Sequence, residues 1–299
     1  MDFQSKEEIH LPAAMIYLPY QNAPNENKII QNISTGLACH DSYDTAAIRA
    51  ICEVIERDAF MIFWKNKLAP PKIHSSSLPA HLQLILKNYQ ARGMDLQLLN
   101  MTTDLNIPVV LALMESRRSD QPPFLIAGAC GITVESTILS AIEEIELSRQ
   151  HGFHLLAKKN KAIFYARPEL VKTQKDHILY WHNRKNLTHM RFLTSSKQTI
   201  NYTDFCKFDF PATTNALQLL ANAVFRSGMK LYLANITTED VAHLGLFVIR
   251  AVMPEAHSLS FGYGYEQIIC SRLKSVPKFL GRSNIMSNGH SNKTPHPYP

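Results

Sequence analysis

The sequence lacks the short signatures that most nucleotide-handling and hydrolytic enzymes carry. It has no GxxxxGK(S/T) phosphate loop, no GxGxxG after a strand, no HExxH and no GxSxG. Any ATP chemistry must therefore use a less common nucleotide site. A CxxC is missing too. The five cysteines (Cys39, Cys52, Cys130, Cys206, Cys270) are odd in number and widely spaced, which argues against a disulfide framework or a thiolate zinc site and leaves them as small buried hydrophobes. No apolar run approaches the roughly 18 residues of a membrane span, and MDFQSKEEIH is charged where a signal peptide needs an apolar core. The reading is a cytoplasmic chain with no membrane partner. The net charge of +6 suits a polyanion, but the basic residues are scattered, with LAKKNK at 156–161 the densest patch. With no aromatic-rich basic strand motif, an RNA-binding reading ranks last and no nucleic-acid partner is expected.

What is present begins with internal likeness. GMDLQLLNMTTD (93–104) recurs as GMKLYLANITTED (228–240), each after an apolar helical stretch. In both copies a helix ends at a glycine able to take the left-handed cap conformation, a strand follows, and the N-x-T-T-acid run makes a polar turn. A second pair, AICEVIE (50–56) and AIEEIEL (141–147), follows TGLAC (35–39) and AGACG (127–131). The chain reads as duplicated helix–strand units of an α/β (α+β) fold, with mixed sheets packed by helices. The expected division is one domain over 1–285 and a flexible Pro-rich tail over 286–299. The alternating Pro295, Pro297 and Pro299 favour an extended conformation that leaves the core.

The stretch ICEVIERDAF (51–60) places Glu53 and Glu56 three positions apart, followed by Arg57 and Asp58. Asp44 and Thr45 predict a helix start, the helix runs to about Trp64, and Ile48, Ile51, Cys52, Ile55, Ala59 and Ile62 form one buried stripe. On another face, Glu53 and Glu56 with Arg49 and Arg57 read either as a solvated ion-pair surface or as the edge of a cleft. Phe60 and Trp64 project from the same side and favour the cleft. Two carboxylates held close call for a cation between them, and hard oxygen ligands suit Mg²⁺ carrying phosphates. In the related helix, expected from about Thr137 to Gln150, Ile138, Ala141, Ile142 and Ile145 form the stripe. Arg149 continues it, either snorkelling at the helix end or gripping phosphate oxygens. Glu144 takes the place that Glu53 has in the earlier copy.

STGLACHDSYDTAAIRAICEVIERDAFMIFWKNKLAPPKI (34–73) resembles the second glutamate motif of the YcaO family. NMTTDLNIPVVLALM (100–114), AGACGITVESTILSAIEEIELSRQ (127–150), NITTEDVAHLGLFVIRAVMPEAHSLSFGYG (235–264) and the closing PHPYP resemble its azoline-forming branch in the same order. The resemblance implies an ATP- and Mg²⁺-dependent cyclodehydratase that converts Cys, Ser or Thr of a ribosomal precursor peptide to thiazoline or oxazoline, with a leader-binding partner protein. It implies that Glu53 and Glu56 hold Mg²⁺ and nucleotide phosphates, that Glu144 and Arg149 serve the nucleotide, and that Pro295, Pro297 and Pro299 fold back near the active site. The carboxylate of Pro299 would orient or deprotonate the attacking group. Arg250 and Arg272 sit in family-like segments without an assigned role. The chain departs from the family at Leu147, where Gln is frequent, and in starting after the family's first glutamate motif. The expected partners therefore include a missing N-terminal half and a second copy in a homodimer. The alternative function is a non-catalytic, truncated relative that binds peptide or partner.

Overall fold

Two glycines set the frame. Gly93 (φ 76°) and Gly228 (φ 81°) are both in the left-handed region, each ending a helix and releasing a strand, as the repeat predicts. The polar turns match in detail. Asn100 Oδ1 accepts from the Thr102 N–H at 2.8 Å, and Asn235 Oδ1 accepts from the Thr237 N–H at 3.0 Å. In each copy the threonine hydroxyl then accepts an N–H at the start of the return strand, from Val109 at 3.3 Å and from Val248 at 2.8 Å. Short-range side-chain bonds of this kind specify the reversal from adjacent residues alone.

The computed structural model describes residues 1–157, 167–211, 215–264, 270–282 and 291–298. Among them the helices are α1 (Ala13–Ile16), α2 (Tyr43–Lys65), α3 (Ala80–Ala91), α4 (Val134–Ala157), α5 (Gln174–Trp181), α6 (Tyr202–Phe205), α7 (Ala216–Arg226), α8 (Glu239–His243) and α9 (Arg272–Phe279). The strands are β1 (Leu37–His40), β2 (Lys72–Ile73), β3 (Met94–Asn100), β4 (Val109–Ser116), β5 (Phe124–Cys130), β6 (Thr199–Ile200), β7 (Tyr232–Asn235) and β8 (Phe247–Val252). One sheet has the order β5-β4-β3-β2-β6, with β2 and β6 parallel and the other pairs antiparallel. The second, antiparallel, has the order β1-β8-β7. The duplication shows here: β3-β4-β5 feeding α4 corresponds to β7-β8-β1 feeding α2, although β1 comes first in the chain.

α2 and α4 occupy different layers. α2 packs against β8 and β1 of the small sheet and against β5 and β4 of the large one, so it lies between the sheets. α4 covers only the far side of β5 and β4. A sandwiched helix must be apolar nearly all round. Accordingly Ala46, Ala50, Ile51, Phe60, Met61, Ile62 and Trp64 are each at most 1 % exposed, well beyond the single stripe expected.

The C-terminal segment corrects one expectation. Residues 291–298 do not leave the core: Pro295, His296, Pro297 and Tyr298 are buried. Indole N–H groups hold the segment, Trp64 donating to the Thr294 carbonyl at 3.0 Å and Trp181 to the Pro295 carbonyl at 3.1 Å. Asn292 donates to the Trp64 carbonyl at 3.1 Å, and the Tyr298 ring lies 4.5 Å from that of Phe60. Rings of proline, histidine and tyrosine are apolar enough to repay burial, and a stiff extended chain loses little entropy on docking. Pro299, residues 286–290 of the expected tail and the basic run from 158 to 161 lie outside the described residues.

Candidate nucleotide and metal site on the central helix

α2 brings Glu53, Glu56 and Arg57 to one place between the sheets. Glu53 accepts from the Gly36 N–H at 3.2 Å and pairs with Arg57 at 2.7 Å. Arg57 also donates to the Thr35 hydroxyl at 2.6 Å. The TGLAC segment that precedes α2 in sequence thus returns to it as the ligand of its first glutamate. Glu56 accepts the hydroxyl proton of Tyr298 from the docked C-terminal segment. Their near neighbour is Gly128 of β5. A Cβ there would collide with the Tyr298 hydroxyl and come within 3.2 Å of Glu56 Cγ, so only glycine lets the three elements meet.

Burial pushes the Glu53 carboxyl up, against the opposing effects of Arg57 and the Gly36 N–H. Burial pushes Glu56 up to about 7, with the charges of Glu53 and Glu144 adding to the rise. Positive charge nearby is also incompletely used. Arg57 Nε and Arg250 Nη1 are buried and have no hydrogen-bond partner among the described residues. Burial lowers the pKa of Arg250, which otherwise donates to the Met15 and Ile33 carbonyls at 3.0 Å each.

These features fit a metal with an anion. Carboxylates short of positive charge suit a cation, and guanidinium N–H groups short of acceptors suit anionic oxygens. Among the described residues, no group of three His, Cys, Asp or Glu side chains could hold a metal alone. The donor set therefore suits Mg²⁺ that takes its remaining ligands from phosphates and water, not a metal caged by protein.

The other predicted residues are placed differently. Glu144 is exposed on α4, yet close enough for its charge to act on Glu56. Every hydrogen bond of Arg149 goes to Glu146, at 2.9 and 2.5 Å, or to Gln121 at 2.8 Å. Glu146 also accepts from the Tyr89 hydroxyl at 3.0 Å. The structure thus brings Glu53, Glu56 and Tyr298 together and leaves Arg149 in a pair of its own. Asp58, next to Arg57 in the motif, serves the core. Its carboxylate accepts from Arg272 at 2.9 Å and from the His257 N–H at 2.8 Å, while Arg272 grips Asp104 at 3.0 and 2.8 Å. Burial works against the Arg272 charge, but the two carboxylates outweigh it and raise its pKa. Tyr298 was legible only as part of PHPYP, and Arg250 only as part of a family-like segment.

The family model described as YcaO cyclodehydratase, ATP- and Mg²⁺-binding, matches residues 1–257. The chain belongs to the YcaO family. A heterocyclase solved in complex with substrate and cofactor shares the fold, with a TM-score of 0.77 at 20 % identity over 99 % of this chain and 37 % of that one. The YcaO protein of Methanopyrus kandleri, bound with AMPPCP and Mg²⁺, superposes with a TM-score of 0.65 at 18 % identity, covering 85 % of this chain and 62 % of the other. The E. coli microcin synthetase McbBCD complex with pro-MccB17 bound gives 0.56 at 15 % identity, over 76 % and 55 %. In sequence, an uncharacterized protein of Methanothermobacter thermautotrophicus is 25 % identical over 152 residues, 50 % of this YcaO chain and 39 % of the relative. The YcaO chain therefore spans about two fifths of the length of that relative and of the first heterocyclase. No helix of the described residues is long and apolar enough to cross a membrane.

Proposed function

We propose that this chain carries the nucleotide-holding core of an ATP- and Mg²⁺-dependent cyclodehydratase, which converts Cys, Ser or Thr of a precursor peptide to thiazoline or oxazoline. The observation that carries this reading is the cluster on α2, where burial raises the pKa of Glu53 and of Glu56 despite the nearby Arg57, while one buried N–H each of Arg57 and Arg250, Nε and Nη1, has no acceptor among the described residues. Family membership supports it, as do structural relatives whose descriptions include AMPPCP with Mg²⁺ and a bound pro-peptide. The reaction joins a side-chain sulfur or oxygen to the preceding carbonyl carbon and removes the carbonyl oxygen, and Mg²⁺–ATP, when bound, supplies the acceptor for that oxygen. The protein's part is positioning and charge neutralisation. Glu53 and Glu56 would hold the metal, and Arg57 and Arg250 would face phosphate oxygens. Gly36 and Tyr298 orient the two carboxylates. Pro295 and Pro297 keep Tyr298 in place as a stiff strap. A leader-binding partner protein would deliver the peptide, as the multi-subunit microcin synthetase suggests by analogy.

The test is mass spectrometry of a Cys/Ser/Thr-rich precursor peptide incubated with the chain, partner protein, ATP and Mg²⁺. Loss of one water per ring is expected from the wild type and none from Glu53→Gln. Equal conversion by the variant removes the metal assignment. A non-catalytic, peptide-binding role is the second reading. It is favoured by the pairing of Arg149 with Glu146 and by the Tyr298 hydroxyl already on Glu56. It predicts peptide binding with no conversion by either protein.

A further inference from the structure

β5 is the terminal strand of the large sheet, with no strand beyond it among the described residues. Its hydrogen-bond phase is fixed at both ends. Ser116 N–H donates to the facing Pro123 carbonyl at 3.0 Å, and Gly131 N–H to the facing Pro108 carbonyl at 3.2 Å. In an antiparallel ladder alternate residues share that phase, so Leu125, Ala127 and Ala129 aim N–H and C=O at β4. Phe124, Ile126 and Gly128 aim theirs outward. At the Phe124–Ile126 end this edge opens into a cavity of about 570 Å³. Three consecutive β5 residues line it, with α4 on one side of the sheet and α5 on the other, which places the cavity at the edge and not on a face.

We propose that this groove binds an extended peptide segment that adds to the β5 edge as a further strand. The proposal rests on the cyclodehydratase reading and names how its substrate class is held. A row of outward main-chain groups at strand spacing is a template for another extended main chain. The walls are apolar, Ile178 and Trp181 from α5 and Leu147 from α4, so apolar side chains on alternate residues fit. Leu147 is 59 % exposed, a cost in water that a bound side chain would remove. Lys175 and His151 are in the lining and, among the described residues, no carboxylate is, so acidic residues suit the intervening positions.

The groove adjoins the site on α2 through the C-terminal segment. Pro297 lines it, and the next residue, Tyr298, is hydrogen-bonded to Glu56. On α4, Leu147, Ser148 and His151 follow Glu144 at helical spacing of three, four and seven, so the face that walls the groove leads to Glu144. A peptide laid along β5 at Phe124 and Ile126 comes up to Pro297, one residue before the Tyr298 that meets Glu56.

The experiment uses the full chain and a fluorescein-labelled decapeptide of alternating leucine and glutamate, read by anisotropy without nucleotide. Two N-methylated versions, blocked on one or the other set of alternate amides, should differ. The phase that pairs with Phe124 and Ile126 loses about tenfold or more in affinity and the other phase little. Leu147→Glu, on an exposed position that leaves the fold intact, should also lose about tenfold. Peptide should slow amide exchange at Phe124 and Ile126. No binding, equal loss in both phases, wild-type affinity for Leu147→Glu, or protection of these amides by Mg²⁺–AMPPCP alone overturns the proposal. Nucleotide affinity is read separately, without peptide. A chain that takes peptide but no nucleotide refutes the enzyme reading alone; one that takes nucleotide but no peptide refutes the groove alone; one that takes neither refutes both.

Discussion

α2 and α4 carry related sequence, AICEVIERD and AIEEIELSR, and their carboxylates behave in opposite ways. On α2, burial pushes Glu56 up to about 7. On α4, hydrogen bonds from Arg149 hold Glu146 down at about 2. The pattern is shared but the layer is not. α2 lies between two sheets, where desolvation exceeds what Arg57 and Tyr298 return, whereas α4 leaves one face in water, where its arginine is free to swing onto the glutamate three residues earlier. Charge spacing fixes which groups can meet, and depth in the fold decides whether they end as a satisfied pair or as a site in need of a ligand.

The sharpest way to break this contrast is to leave a buried charge alone. Arg272→Ala leaves the Asp58 carboxylate, whose side chain is 1 % exposed, without its cationic partner, and should cost about 3–5 kcal/mol by urea denaturation. A loss near zero would mean that the interior around α2 is wetter than its packing implies.

The second effect is on pH. Because the native state holds Glu56 protonated up to about 7 against an ordinary 4.5, the folded chain binds a proton that the unfolded chain has already released across that window. Stability should fall by about 3 kcal/mol as pH rises from 4.5 to 7, and Glu56→Gln should flatten this part of the profile. Glu146 has the reverse sign, its contribution being present above 4.5 and lost as pH falls towards 2. Tyr298→Phe, which leaves Glu56 without its donor, should cost about 1–3 kcal/mol in thermal or urea unfolding. The smallest effect belongs to α4. With Glu146 35 % exposed, Glu146→Gln should change stability by no more than about 1 kcal/mol, screened further by salt.

Much of the fold was legible. The helix predicted to start at Asp44 and run to about Trp64 is α2 (Tyr43–Lys65), and the two glycine-ended repeats are the two helix–strand–turn units, because local caps and turns are written in adjacent residues. The polar turns succeed for the same reason. What failed depends on contacts far apart in sequence. Asp58 and Arg272 are separated by 214 positions and Glu56 and Tyr298 by 242, so neither pairing leaves a local trace. PHPYP reads as a polar extended end, and it is held inward by distant partners such as the indole N–H groups of Trp64 and Trp181. At the site, the glutamates themselves and their inward aim were legible from Phe60 and Trp64. The partner of Arg149 was also within reach, three residues back on its own helix, whereas its nucleotide role came from the family resemblance and not from the stripe.

The most direct test of the account is isothermal titration of Mg²⁺–AMPPCP into the wild-type chain and into Glu53→Gln, with Glu146→Gln as the control from the other helix. The account predicts binding that requires Mg²⁺, is lost in Glu53→Gln and is kept in Glu146→Gln. Binding that persists in Glu53→Gln, or that is indifferent to Mg²⁺, would contradict it.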